Sequence, residues 1–554
     1  MSEYDLKSLR LPKLSGLNLS LFRSIVESPT LRPLFMGSLL KNGGIIDLRK
    51  KTIEEPPTLL PLVALEPEPE PVKQFPVDVR PRPANFPFKT IADYTEAYSS
   101  GKTTPLEVAE KVIFSIVSSD QSRPPLRAFI ALYRDDVLAQ AQASTDRYKA
   151  GKPLSFLDGV PVAVKDELSL APYPTTFGTS YIGQEPVQED STVVARLRAA
   201  GALLLGKANM HEVGTNPDGF NAHYGLARNP YNKAHDTGGS SSGSAAAVAA
   251  GFCPLALGAD GGGSIRIPAA LCGQVGLKPT FGRLSAYGAM TLTWSLDQFG
   301  PIGASVGDVA LAYQLMAGVD PLDGNTQYQP PVRVDGWNNP DLTGITLGIY
   351  PAWFEHANPQ VVAMGKVMLR TLSEAGATLK EVVIPELDMM RVAHAVTILA
   401  DLAATTQPYA GHKKEQGEAV RLSLELGRNM TAFDYIQSQR MRTKAIEIFQ
   451  KVFEEVDVIL SPATAMTAPK IPTNGMSTGW SDLSTDTELM RYVFPANLTG
   501  LPAIAFPVGY DEAGLPVGMQ AMGRHWEEHL LLRVAYTAEQ TVERRLPSTY
   551  YPNL

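Results

Sequence analysis

Cysteine is nearly absent from this chain: Cys253 and Cys272 are the only two in 554 residues. Two thiols cannot build the disulfide lattice that staples secreted domains, so a reducing, intracellular compartment is expected. Their neighbours Phe252, Pro254, Leu271 and Gly273 mark them as buried small hydrophobes, and neither has the nearby histidine or Cys-x-x-Cys partner of a reactive thiol. Histidine is also scarce, eight in all. His211-Glu212 lacks a second histidine one helical turn on, so packing is expected there rather than zinc. Neither a metal nor a cofactor is expected. Positive charge is short, 49 Lys and Arg against 57 Asp and Glu, a net charge of -8. Nucleic acid is therefore an unsuitable partner, because its phosphates are held mainly by Lys and Arg. Long apolar runs are missing as well. Met1 to Arg10 is charged and lacks a signal core, so no secretory peptide is expected, and the uncharged stretch Thr237 to Ala259 is too rich in glycine and serine to span a bilayer.

What is present is a globular composition, 44% hydrophobic and 19% charged, with enough apolar material for a large core. Residues 1–53 form a basic amphipathic arm in which Leu14, Leu17, Leu21, Leu34, Leu39 and Leu40 recur at the spacing of short helices broken at Pro29 and Pro33. Such an arm packs on the body, meets a second copy of the chain or touches a membrane surface; Lys13, Arg23, Arg32 and Lys41 favour an interface. Residues 54–88 are a Pro/Glu-rich linker or strap, with Glu66-Pro-Glu-Pro-Glu-Pro71 favouring extended polyproline backbone. Residues 89–554 are the globular body. Thr104-Pro-Leu-Glu107 supplies a helix cap, and Ser191 to Ala200 reads as a helix. Leu157 to Val164, Ala202 to Leu205, Val456 to Leu460 and Ala503 to Phe506 read as strands. This alternation predicts an α/β fold, a large mixed β-sheet core covered by helices on both faces, behind an N-terminal helical arm.

Two glycine-serine loops flank one helix: Thr237-Gly-Gly-Ser-Ser-Ser-Gly-Ser-Ala-Ala-Ala247 and Gly258-Ala-Asp-Gly-Gly-Gly-Ser-Ile-Arg-Ile-Pro268. A loop of this kind can cradle phosphate, but the Lys-Ser/Thr ending of a P-loop and the dinucleotide glycine spacing are both missing. Gly238-Gly-Ser-Ser-Ser-Gly243, Asp260-Gly-Gly-Gly-Ser-Ile-Arg-Ile-Pro268, Cys272-Gly-Gln-Val-Gly-Leu-Lys-Pro279 and Gly159-Val-Pro-Val-Ala-Val-Lys-Asp166 together resemble the signature of the amidase family, in that family's order. The resemblance runs from about Thr90 to about Arg524. It implies the amidase-signature fold, with Lys165 as base, Ser240 as bridging serine joined through a cis peptide to Gly239, and Ser264 as nucleophile. Ala259 departs from the family, where threonine is common.

The chemistry implied needs these residue types. A serine hydroxyl attacks an amide only when a neighbour takes its proton, and the amine leaves only when one is returned. Lys165 can serve only when neutral. Burial among Val162, Val164 and the glycine loops is expected to disfavour its charged form by roughly 4 kcal/mol. The amides of Gly261, Gly262, Gly263 and Ser264 are expected to receive the carbonyl oxygen as it becomes an oxyanion, with Asp260 and Arg266 bracing their loop.

The arm Leu14-Ser-Gly-Leu-Asn-Leu-Ser-Leu-Phe22, Gly206-Lys-Ala-Asn-Met-His-Glu-Val-Gly214, Met390-Arg-Val-Ala-His394 and Asp486 to Gly500, with Leu489-Met-Arg-Tyr-Val493, are similar to a branch of that family, the plant-type fatty acid amide hydrolases. That likeness implies hydrolysis of N-acylethanolamines to fatty acid and ethanolamine by a homodimer on endoplasmic reticulum or plasma membrane. Alternatives are a small-amide amidase, the glutaminase component of a transfer-RNA amidotransferase, and a non-catalytic membrane scaffold. The amidotransferase component has no need of the arm or strap, and a scaffold has no reason to bury an uncompensated lysine.

Overall fold

The computed structural model describes residues 4–9, 13–63, 77–81, 83, 86–476 and 478–554. Its centre is one eleven-stranded mixed sheet. From one edge to the other it runs Phe129–Ala131, Leu203–Ala208, Pro161–Lys165, Leu255–Asp260, Gln298–Gly303, Val275–Lys278, Ala503–Tyr510, Pro516–Gly523, Val458–Pro462, Thr346–Ile349 and Thr378–Glu381. Pro161–Lys165 pairs in parallel with both neighbours, whereas the middle of the sheet is antiparallel. Every residue of Leu255–Asp260 and Gln298–Gly303 is buried. Successive side chains on a strand face opposite sides, so helices must cover both faces.

Local signals behave as their chemistry requires. Thr104 caps the helix Pro105–Gln121 by accepting from the amide of Glu107 at 3.2 Å, and Glu107 Oε2 accepts from the amide of Thr104 at 2.9 Å. Thr192–Ala199 is the expected helix, with Ser191 as its cap. The strand expected over Leu157 to Val164 begins only at Pro161, because Phe156 to Gly159 make a turn in which Gly159 takes a positive φ of 73°. The later strands run past their expected ends, to Ala208, Pro462 and Tyr510.

The arm packs on the body. Its helices are Gly16–Glu27, Arg32–Asn42 and Ile45–Lys50. The chain turns near Pro29 as expected, but Pro33 opens the second helix instead of breaking it, since a first-turn residue has no intrahelical N–H bond to lose. Leu19, Val26, Leu40, Ile45 and Leu48 join a core with Leu387, Met390, Met441 and Phe494. Arg23 to Glu418 at 2.7 Å, Arg421 to Glu27 at 2.7 Å and Arg49 to Asp434 at 2.6 Å tie its rim. The start of the strap follows the helix Ala432–Phe453, where Arg440 and Arg442 donate to the carbonyls of Glu55 and Leu59. Its Glu66 to Pro71 centre lies outside the described residues.

Candidate active site

Lys165 ends its strand with its side chain 1% exposed. Ser240 sits in the loop before the helix Ser242–Ala249, whose eight residues are all buried and small enough to lie close against the strands beside it. Ser264 follows the strand Leu255–Asp260 and precedes the helix Arg266–Leu271. The three residues line one narrow cavity together with Glu167, Gly261, Gly262 and Asp297.

Lys165 Nζ stands 2.9 Å from Ser240 Oγ and 3.4 Å from the carbonyl oxygen of Ala259. The Gly239-Ser240 peptide is cis. A side chain on Gly239 would meet the carbonyl oxygen of Asp218 at 2.0 Å, so only glycine lets the loop lie this close. The carbonyl of Ser240 accepts from the amide of His211 at 3.0 Å. His211 is buried, and burial pushes its ring down to about 4, leaving it neutral.

The lysine is not in the purely apolar setting expected of it. Glu167 Oε2 lies 2.7 Å from Lys165 Nζ, and both side chains are at most 2% exposed. Lys165 is thus compensated rather than alone. Burial raises the carboxyl of Glu167, against the pull of Lys165. Asp297 is raised well above the carboxylate range by burial and then by the charge of Glu167. Asp166 instead braces the neighbouring loop, accepting from the amide of Gly178 at 2.9 Å and facing Lys207 at 3.4 Å.

The glycine loop is held from three sides. Asp260 and Arg266 form a buried forked pair at 3.0 Å on each arm, and Arg266 also reaches Gln520, Asn497 and the carbonyl of Val493. Burial alone would raise Asp260, but Arg266 and Lys278 hold it far below its ordinary value. His394, in the helix Leu387–Thr405, binds the carbonyl oxygen of Gly261 through Nε2 at 2.8 Å. Gly263 departs from its expected part: its single N–H donates to Asp260 Oδ1 at 2.6 Å, so it is not free for an oxyanion. Among the described residues, the amides of Gly261, Gly262 and Ser264 have no partner within the chain.

Glu167, Asp297 and His394 are site residues that the sequence alone does not single out. For Glu167 a signal exists, since residues two apart at a strand end share a side and a carboxylate two places after Lys165 faces it. Asp297 lies far along the chain and carries no local mark, whereas His394 ends the Met390 to His394 stretch that resembles the fatty acid amide hydrolases, a likeness that assigns it no role. Cys253 and Cys272 are buried, with burial pushing the thiol of Cys253 up to about 12, so neither is a nucleophile.

Two serines and a buried amine gathered in one cavity beside unpaired backbone donors are the parts that a serine-dependent hydrolase of amides requires. The Amidase family model matches residues 111–532. A fatty acid amide hydrolase of Arabidopsis thaliana is 37% identical over 99% of this chain and 96% of its own length. A glutamyl-tRNA(Gln) amidotransferase component of Symbiobacterium thermophilum is 35% identical, over 82% of this chain and 97% of its own. The crystal structure of a peptide amidase with the inhibitor chymostatin superimposes with a TM-score of 0.72 at 28% identity, covering 83% of this chain and 99% of that one. The chain belongs to the amidase signature family and is an amidohydrolase.

Proposed function

We propose that the protein hydrolyses long-chain N-acylethanolamines, with Ser264 as nucleophile and Ser240 and Lys165 as its proton relay. Ser264 Oγ attacks the amide carbonyl while its proton passes to Ser240 and that of Ser240 to Lys165. The carbonyl oxygen, now negative, is received by the free amides of Gly261, Gly262 and Ser264, each such donor being worth about 3 kcal/mol in the transition state. The relay then runs backwards, protonating the nitrogen so that ethanolamine leaves. Water repeats the cycle on the acyl-enzyme and frees the fatty acid.

The observation that carries the lipid substrate is a cavity of about 210 Å³ that shares Thr215, Asn216, Pro217, Ile398 and Met490 with the wall of the catalytic cavity. Leu39, Ile45, Leu399, Leu426, Met430 and Phe494 line it. A second apolar cavity, under Leu14, Phe22 and Val26 of the arm, shares Leu39, Asn216, Leu426 and Leu483 with it. An acyl chain needs such an apolar channel, whereas glutamine does not. The full-length match to the Arabidopsis enzyme, arm included, supports the same reading over the amidotransferase one.

The outer face of the arm supports a peripheral membrane position on an internal or plasma membrane, and the arm is also the proposed dimer contact. Leu17, Leu21 and Leu34 are 88%, 63% and 74% exposed, and Phe35 stacks edge-on with Phe22 of the apolar cavity at 6.5 Å. Exposed leucines, with the exposed Lys41 on the same helix as Leu34, suit a lipid interface. The deciding experiment compares rates on a long-chain acylethanolamide, a short aliphatic amide and glutamine. The acylethanolamide is expected to be fastest; glutamine or the short amide ranking first would overturn the proposal.

A further inference from the structure

We infer that Glu167 is the proton reservoir of Lys165, a positioning residue that takes a proton from the amine and frees its lone pair for Ser240. The inference rests on the relay proposed above. Lys165 Nζ faces three oxygens: Glu167 Oε2 at 2.7 Å, Ser240 Oγ at 2.9 Å and the carbonyl of Ala259 at 3.4 Å. That set suits an ammonium donating three N–H bonds, and it equally suits a neutral amine that donates to Glu167 and Ala259 and accepts from the hydroxyl of Ser240. The two forms differ by one proton, and only the second has a lone pair for Ser240. A base in this position must first shed a proton. A carbonyl and a serine hydroxyl are too weakly basic to take it, so Glu167 is the acceptor in contact.

The transfer balances within the pair. The N–H bond directed at Glu167 breaks, an O–H bond forms on Oε2, and the electron pair stays on Nζ, which then accepts the proton of Ser240. When the amine leaves, Nζ returns that proton through Ser240 and can take back the one on Glu167. Both side chains are buried, so the exchange turns an ion pair into two neutral groups without changing net charge. Losing the proton to solvent would instead strand a buried carboxylate, which is costly.

The surrounding groups agree with this. Asp166 faces Lys207 at 3.4 Å, so those two charges largely answer one another. His211 is neutral, and Asp297 is raised well above the carboxylate range by burial and by the charge of Glu167. Burial, opposed by Lys165 and aided by Asp166, raises the carboxyl of Glu167 and readies it to hold a proton.

The test reads nucleophile activation without substrate, as the rate of fluorophosphonate labelling against pH. In Glu167→Gln, an amide cannot take the proton, and Lys165 must release it to solvent. Labelling at pH 7 is expected to fall at least about tenfold, and the acid limb to move up by about one pH unit or more, with recovery at alkaline pH. An unmoved limb overturns the inference. So does a downward shift, because a carboxylate that merely steadied the ammonium would, once removed, leave the amine neutral over a wider range. Glu167→Asp keeps a carboxyl, and its limb is expected within about half a unit of the native one; a displacement as large as that expected for Gln overturns the inference even where Glu167→Gln does not fold. Labelling of Ser264→Ala at the native rate would refute the relay itself, a result distinct from any Glu167 profile.

Discussion

His394 Nε2 lies 2.8 Å from the carbonyl oxygen of Gly261 and holds the first peptide of the glycine loop. Burial pushes the ring down to about 4, so at neutral pH it is uncharged, and the nitrogen facing an oxygen must carry the hydrogen. Fixing that carbonyl orients the peptide plane it belongs to, whose N–H is that of Gly262. His394→Ala is expected to lower kcat roughly tenfold to a hundredfold, the scale of a small misplacement of catalytic groups. KM should change little, and Gln, which keeps an N–H donor, should recover part of the loss. Steady-state kinetics on a short soluble amide, where the acyl cavity plays no part, measures both.

The three relay residues are expected to differ in how they fail. Ser264→Ala removes the attacking oxygen and should abolish hydrolysis and fluorophosphonate labelling together. Lys165→Ala removes the final proton acceptor, so most activity goes and part returns at alkaline pH, where hydroxide substitutes. Ser240→Ala leaves a gap in the relay that water can bridge, and its rate should fall between the two.

Much of this site was legible because its residues are contiguous in motifs: Lys165 at a strand end, Ser240 and Ser264 in loops flanking one helix. The alternation of strands and helices likewise announced a mixed sheet. What escaped depends on through-space partners. Glycine at 263 reads as an open amide until Asp260 is seen to occupy it, and Lys165 reads as apolar-buried until Glu167 is placed beside it. Pro33 misled for a local reason, because a proline that breaks a helix and one that opens it differ only in where the first turn begins.

Leu426 lines both apolar cavities and stands apart from the relay. Leu426→Trp adds bulk to that channel. On the proposed substrate, kcat/KM is expected to fall at least about tenfold for a long-chain acylethanolamide, a methylene-scale pocket change being worth about 1–3 kcal/mol. A short amide should be turned over nearly as before. Equal losses on both would count against an acyl channel at this place.

Leu17, Leu21 and Leu34 contribute little to folding, being mostly exposed, so replacing all three with serine should leave the melting temperature near native. Co-sedimentation with anionic liposomes is expected to be largely lost, since each leucine buried in the interface contributes about 1.5–3 kcal/mol to binding. Activity on a soluble short amide is expected to persist. Deleting residues 1 to 50 should reduce liposome binding or dimerisation, but it also removes the core leucines of the arm, so the triple serine variant separates the surface effect from the folding one.

Four buried carboxyls make stability fall as pH rises. Burial pushes Asp218, Asp308 and Glu539 up to about 7, and burial with the charge of Asp218 pushes Asp236 up to about 8. An unfolded carboxyl titrates near 4. Between the two values the folded chain holds more protons than the unfolded one, so their stabilisation is complete below about pH 4 and is lost as pH climbs through 7 to 8. His211, His394 and His525, all pushed down to about 4 by burial, act in the opposite direction, but their effect is spent above the unfolded histidine value near 6.5. Lys278, pushed down to about 7 by burial, opposes the trend with its single proton, which the several of the carboxyls outweigh until they ionise near pH 8. The melting temperature is therefore expected to drop between about pH 6.5 and 7.5 and to level off by about pH 8, a range chosen from these values. Asp236→Asn keeps an oxygen for the amide of Gly238, which donates to Asp236 at 2.5 Å in the loop entering Ser240, and removes the ionisation. Thermal melts of this variant should show a shallower fall across the same range; an unchanged slope would mean that Asp236 is already ionised in the folded protein.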